Sequence, residues 1–482
     1  MAEYGAVNMK QLQEVLDVVK AQTARIEALE GLVGTQQHQV GVAFLGGKAT
    51  DVSVNSGDVS WILTSTALVL MMTIPGLALF YGGLSGFRNV LSTVMHSFAI
   101  TCEISVLWLI MGYSLAFGQG NDYIGGSEKF WFRGDTKSGK PILPGSTTGT
   151  IPEAVFCMFQ LMFAIITCAI IAGSLAERMK FSSLLVFMLL WHLLVYCPIA
   201  HWEWGGGFMG AWGVLDFAGG DVVHVSSGVA GLVGAVILGP RKNYNQGEPP
   251  AHNLLLTFMG AALLWVGWLG FNSGSALTSG GSAAMAMLVT HISASTAGLS
   301  WMCVEWAIKG KPSVLGIVSG AISGLVVVTP GAGYVDQTGA FCMGLLGGIA
   351  CYFGIQVKTW MGFDDALDAF GVHGVGGMVG GVLTGFFANP EIGGASGVFY
   401  GNGEQLGWQI AGILMTIVYS AVGTAIIMYG LKYTIGIRVS DEDEEMGMDY
   451  SEHGHGAELE LSKTVESDFD DSCHEDETVG VA

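Results

Sequence analysis

The chain has 482 residues, 51% of them hydrophobic and 12% charged, against roughly a quarter charged in ordinary soluble domains. The apolar residues come in runs such as 182–200, long enough to cross a bilayer as a helix, which excludes a soluble enzyme with a greasy core and marks a polytopic membrane protein. The net charge of −21 is local: residues 441–482 carry sixteen acids and one lysine, leaving only −6 for the rest, so no nucleic-acid partner is expected and the acidity belongs to a solvated tail.

In chain order, the first feature is an amphipathic segment at 9–33. Leu12, Leu16, Val19, Ile26, Leu29 and Val33 recur there at three-, four- and seven-residue steps, the pattern of a surface helix or a short coiled coil. No basic-then-apolar signal peptide precedes it. Eleven apolar spans follow, at about 59–81, 93–117, 153–175, 181–200, 221–239, 253–273, 283–308, 313–329, 339–358, 369–388 and 407–435. The expected fold is therefore an all-α polytopic membrane protein. Its organisation reads as an extracytoplasmic N-terminal segment (1–57), a membrane domain (58–438) and a cytoplasmic acidic tail (439–482) that is disordered after about 458. An odd number of spans puts the termini on opposite sides. With the C-terminus inside, the short inner loops hold Arg88, Arg178, Lys180, Arg241, Lys242, Lys309, Lys311 and Lys358, and the outer loops only Lys129, Arg133, Lys137 and Lys140. That bias favours N-terminus out and C-terminus in; the plasma membrane is the expected compartment, on no sequence signal of its own.

Spans five and ten resemble each other. "DFAGGDVVHVSSGVAGLVG" and "DALDAFGVHGVGGMVGG" share D-x7-H-x3-G-x2-G, with Asp216, His224, Gly228 and Gly231 matched to Asp365, His373, Gly377 and Gly380. Five spans per unit is odd, so the second unit enters the membrane upside down: two inverted five-helix repeats plus an eleventh helix, with the ligand path expected where the halves meet. If helical throughout, each histidine lies eight residues, about 12 Å, deeper than its aspartate, which puts both near the middle of the bilayer. A lone histidine there commonly only bonds a neighbouring helix, but a symmetric pair of ionisable rings points to an ion or proton path. For the aspartates, helix N-capping outweighs proton carrying. The cysteines within the spans are scattered, and neither they nor the "HGHG" of the tail make a metal-ligand set. No cofactor, no metal and no enzymatic centre is expected, since no H-E-x-x-H motif is present.

These stretches, with "PGLALFYGGL" and "WLGFNSGSA", resemble the ammonium transporter (Amt) branch of the Amt/Rhesus superfamily from about residue 58 to 456, in a eukaryotic-type form. The resemblance implies a homotrimer with one pore per subunit, and ammonium or ammonia as substrate, with methylammonium a candidate analogue. Carried over residue by residue, it implies an outer recruitment site of Trp204, Ser275 and Phe163, and a gate of stacked Phe163 and Phe271. It further implies a pore lined by His224, His373 and Trp268, with Asp216 the acid near the site. The Rhesus branch lacks that tryptophan and serine, so their presence favours a high-affinity Amt protein. An aromatic cage attracts a cation, by about 2 kcal/mol when desolvated, and the Ser275 hydroxyl accepts a hydrogen that ammonium has and potassium lacks. The expected mechanism is recruitment of ammonium, deprotonation below the cage, passage of ammonia along the twin histidines and separate passage of the proton, which makes uptake electrogenic. The alternatives are a neutral ammonia channel and an ammonium sensor signalling through the tail. In that tail Ser451 of "GMDYSEHG" stands where many eukaryotic members carry a phosphorylatable threonine, in a region that the resemblance docks on a neighbouring subunit.

Overall fold

A computed structural model describes residues 54–133, 149–242, 244 and 251–455. The amphipathic segment at 9–33, Lys137 and Lys140, and the tail from 456 lie outside those residues. Among the described residues eleven helices are long and apolar enough to span a membrane. They are α1 (Ser56–Leu84), α2 (Val90–Phe117), α3 (Glu153–Leu175), α4 (Phe181–Trp212), α5 (Gly220–Leu238), α6 (Leu254–Gly274), α7 (Gly281–Lys309), α8 (Val314–Gly331), α9 (Gln337–Met361), α10 (Phe370–Phe387) and α11 (Glu404–Thr434).

Several helix starts explain themselves locally. In lipid an unpaired backbone N–H is costly, and a side-chain acceptor supplies what the first turn lacks. Asn55 accepts from Gly57 and Asp58 at the start of α1, Asn253 from Leu255 and Leu256 at α6, Ser313 from Gly316 at α8, and Asp336 from Thr338 and Gly339 at α9. Stops are set by glycines with positive φ, Gly310 (78°) after α7 and Gly362 (72°) after α9, a conformation that costs other residues more.

Helix α3 is the most enclosed span, 89% buried over its apolar window, and α11 is among the most open, at 33%. The main core surrounds α3, with α1, α2, α5 and α6 packed around it, and a second core joins α7, α8 and α9. α11 lies on the outside against α4, α5 and α10. The eleven-helix reading of the sequence is thus what the chain forms, with boundaries moved by a few residues at most ends.

At the face where α11 ends, the loops are tied by charge. Arg241 meets Asp364 (Nε to Oδ2, 2.9 Å) and Glu177 (Nη1 to Oε2, 2.7 Å). The buried Arg178 donates to the carbonyls of Asp364 (2.6 Å), Gly239 (2.8 Å) and Ala176 (3.0 Å). Burial lowers the Arg178 guanidinium to about 10 despite the Asp364 carboxylate. Burial would raise the Asp364 carboxyl, but the two arginines override it and hold it below the ordinary carboxylate value.

The chain after α11 returns along this face of its own subunit as α12 (Asp441–Met446) and α13 (Met448–Ser451). Its acids act as helix caps for other elements. Asp449 accepts from the N–H groups of Leu91 (3.1 Å) and Ser92 (2.7 Å) in the first turn of α2, and Glu452 from that of Phe181 (2.8 Å) at the start of α4. Arg88 donates to the Glu445 carbonyl (3.0 Å) and Lys242 pairs with Glu445 (2.7 Å). The resemblance implies docking on a neighbour; the contacts seen are with this chain's own helix ends, for which negative side chains are the natural complement.

Candidate functional site

Asp216 and Asp365 fix the geometry of the twin motifs. The Asp216 carboxylate accepts from four successive amides: Gly219 (2.8 Å), Gly220 (2.5 Å), Asp221 (2.8 Å) and Val222 (3.1 Å). Asp365 accepts from Ala369 (3.2 Å), Phe370 (2.8 Å) and the Ser174 hydroxyl (2.6 Å). Both are helix caps, the role that the sequence weighs highest. The same bonds correct the expected depth. α5 begins at Gly220 and α10 at Phe370, so each histidine stands about one turn inside its helix, not two turns below its aspartate. The intervening residues are loop, with Gly219 at φ 111° and Asp368 at φ 60°.

The two histidines meet. Nδ1 of His224 lies 3.1 Å from Nδ1 of His373, and the rings are inclined by 21°. Both side chains are buried. What brings them together is the crossing of α5 and α10 at glycines: a methyl group on Gly228 would overlap the backbone of Gly374, and one on Gly377 would stand 2.9 Å from the Gly220 carbonyl oxygen and the Val225 nitrogen. The G-x2-G half of each motif is therefore a packing device. One Nδ1 must donate and the other accept, so the pair takes complementary tautomers and cannot hold a proton on both facing Nδ1 atoms. The buried Nε2 of His224 has no protein partner.

The aromatic residues line up on one side of this pair. Trp268 stacks on His224, with centroids 5.3 Å apart and planes 21° apart, and its Nε1 donates to Thr329 Oγ1 at 3.0 Å. Phe271 lies 6.2 Å from His224 and stacks on Phe163 at 4.3 Å and 29°. Phe163 meets Trp204 edge-on at 5.8 Å and 85°. The two phenyl rings are buried, whereas Trp204 and Ser275 are partly open. Trp204 is held by its Nε1–H to the Asp216 carbonyl oxygen (2.8 Å). Ser275 donates to the Phe271 carbonyl oxygen (2.9 Å), which commits its hydrogen and leaves its lone pairs as acceptors. On the other side of the pair lies an apolar cavity of about 10 Å³, bounded by His373, Trp268, Leu77, Phe80, Ile166 and Ile322, among others. Small and greasy, it suits a neutral molecule the size of water.

The sequence did not single out Thr329, which orients Trp268 and itself lies 3.2 Å from Asn272 Oδ1; a threonine before a proline at a helix end carries no signal of that role. Among the described residues no group of acids, histidines and cysteines is placed to hold a metal ion.

The model of the Ammonium Transporter Family matches residues 60–458. The chain belongs to the ammonium transporter family. It is an ammonium transporter and a multi-pass integral membrane protein, not an enzyme. An ammonium transporter of Bacillus subtilis is 47% identical over 404 residues, covering 83% of this chain and 98% of that protein. The crystal structure of Candida albicans Mep2 superposes with a TM-score of 0.76 at 35% identity, covering 81% of this chain and 87% of the other. A structure titled Sensor Amt Protein superposes with a TM-score of 0.75 at 25% identity, over 82% and 98%. Named relatives come from bacteria, archaea and Dictyostelium, so the family is established and a eukaryotic branch of it is not.

The transporter's glycine crossing makes a direct prediction. Gly228→Val, forced against Gly374, separates the rings and lowers ammonium uptake by about tenfold or more, as small displacements at a reacting centre do. Uptake equal to the parent's, at matched expression in cells lacking other ammonium permeases, would contradict this.

Proposed function

We propose that this transporter takes up ammonium electrogenically through a pore within each subunit, with the N-terminus outside, the C-terminus in the cytoplasm and three subunits per assembly. The basic residues of the short loops support that orientation, and the family resemblance supports the trimer. Trp204, Phe163 and Ser275 form the outer recruitment site. The indole and phenyl faces attract the cation, and the lone pairs of Ser275 accept one of its hydrogens. The stacked Phe163 and Phe271 close the path beneath, and their movement admits the substrate to the histidines.

The observation that carries this reading is the buried His224–His373 contact at 3.1 Å, with stacked aromatics on one side and an apolar cavity on the other. A whole cation is expensive in such surroundings, by about 2.5 kcal/mol or more on insertion scales. Ammonia is uncharged, and it both donates and accepts hydrogen bonds. A pair of rings in complementary tautomers offers it one acceptor nitrogen and one N–H, so it exchanges one set of bonds for another as it passes. The proton left behind crosses separately, and the charge moved lets the membrane potential drive uptake. Asp216 and Asp365 are structural acids in this scheme. The transporter reading is favoured over the sensor reading because the relative named a transporter shares 47% identity and the one titled a sensor 25%.

The test is ammonium-evoked current in liposomes. The parent protein gives an inward current, and replacing His224 and His373 singly and together by non-polar residues abolishes coupled transport. Ammonia flux in the parent without current would establish the neutral channel instead.

The tail regulates. The Ser451 hydroxyl donates to the Gly447 carbonyl oxygen (3.1 Å), close to Asp449 and Glu452, whose carboxylates hold α2 and α4. A phosphate there adds about −1.5 to −2 charge beside two acids that are already engaged, and so releases the tail. Ser451→Asp is expected to lower uptake severalfold and Ser451→Ala to leave it unchanged, measured as initial rates. Undiminished uptake by the aspartate form would argue against the tail as a switch.

A further inference from the structure

Deprotonation of ammonium needs an acceptor, and Asp216 is poorly free to be one. Each of its oxygens already accepts two backbone N–H groups, so a proton on either would displace a bond that starts α5. Two other acids close by are differently placed. Glu203 precedes Trp204 in α4, just before the break at 205–207, and Asp221 is the second residue of α5. They are 9% and 3% exposed, and Glu203 Oε2 and Asp221 Oδ1 are buried with no hydrogen-bond partner. Among the described residues neither meets a lysine, arginine or histidine within ion-pair distance.

The pair sits around the proposed recruitment site. Glu203 lies within electrostatic range of both Asp216 and Asp221. The Asp221 amide donates to Asp216, whose carbonyl oxygen accepts from Trp204. Gly219, two residues before Asp221, packs against the Trp204 ring. From α11, Gly412 faces Asp221, since a methyl group there would stand 3.0 Å from Asp221 Oδ2; one turn on, Thr416 Oγ1 is buried and also unpartnered. Among the described residues the remaining titratable group in range is Tyr334, before α9, which interacts with Glu203 and Asp216.

A purely structural role fits Asp221 badly. An acid in a first turn is favourable, but Asp216 already caps that turn. The offset of 149 residues that relates His224 to His373 places Phe370 opposite Asp221. The inverted helix begins equally well with a phenyl ring, so the acid belongs to one end of the pore only, the end with the aromatic cage. Buried carboxylates with nothing to neutralise them are costly, and binding a proton removes that cost.

We infer that Glu203 and Asp221 are the proton-accepting groups of the recruitment site. This rests on the electrogenic reading above. In the step, one N–H bond of ammonium breaks, its electron pair stays on nitrogen to give ammonia, and the proton forms an O–H bond on this carboxylate pair. Ammonia then goes on to the histidines. Asp216 stays the cap that starts α5.

The experiment uses the full-length protein in liposomes, with ammonium as the probe, and compares the parent with Glu203→Gln, Asp221→Asn and the double variant over a range of outside pH. The parent current should rise with pH as the pair loses its resident proton. In the double variant the current should fall by about a hundredfold, the scale of losing a positioned base, and its pH dependence should flatten. A folded double variant with the parent's current and pH profile would overturn the inference and leave electrogenic transport standing; absence of current in the parent would instead sink the electrogenic reading. Should the variants not fold, the ammonium-induced infrared difference spectrum of the parent decides. A new carboxylic-acid C=O band, sensitive to deuterium, is expected, and its absence overturns the assignment.

Discussion

The close crossing of α5 and α10 is the constraint on which the rest depends. Two helices with ordinary side chains at the contact would stand too far apart for their histidines to touch. Gly228 and Gly377 remove those side chains, each approaching the backbone of the opposite helix, and the imidazoles come to 3.1 Å. The aspartate caps act at the same place from the other direction. By gathering the first amides of each helix they allow α5 and α10 to start deep in the protein, one turn before the histidine. Caps, glycines and rings are one device, repeated with inverted sense.

Around that device polarity is distributed unevenly. On one side of the histidines lie Trp268, the Phe163–Phe271 stack, Trp204 and the partly open Ser275; on the other is a greasy cavity and, beyond it, the guanidinium–carboxylate network of Arg178, Arg241, Asp364 and Glu177. The aromatic side suits a cation, because ring faces attract it and a hydroxyl can accept its hydrogens. The apolar side suits a neutral molecule. A substrate that changes charge between the two is the economical match, and ammonium, which becomes ammonia by losing one proton, is such a substrate. The network at the tail face makes few demands on the pore; it fixes the loops to which α12 and α13 dock.

Much of this was legible in the sequence because the membrane makes fold and pattern nearly the same thing. In lipid a span must satisfy its own backbone groups, so among the described residues eleven apolar runs became eleven helical spans, α1 with a kink at Ile74 and α4 with a break at 205–207, and D-x7-H-x3-G-x2-G exposed both the repeat and the facing histidines. Depth was misread because spacing alone does not tell a loop from a helix; the carboxylate bonds of Asp216 to Gly219 and Gly220 decide where α5 begins, and they are three-dimensional facts. Thr329 was invisible for a similar reason, since its role depends on Trp268 sixty-one residues away in sequence. Glu203 and Asp221 carry no motif signal in the sequence; their burial and missing partners are three-dimensional facts. In the tail, acid-rich composition announced a solvated segment, but only the structure revealed Asp449 and Glu452 engaged as caps for α2 and α4.

The central claim is that the path rejects a whole cation and accepts a neutral amine made from one. Potassium, similar in size to ammonium but unable to give up a proton, separates these cases most directly. In liposomes containing the unaltered protein, with equal inward gradients applied in turn, ammonium should evoke a current and potassium none. A potassium current comparable with that of ammonium would mean that intact cations cross past His224 and His373, and the account would be wrong.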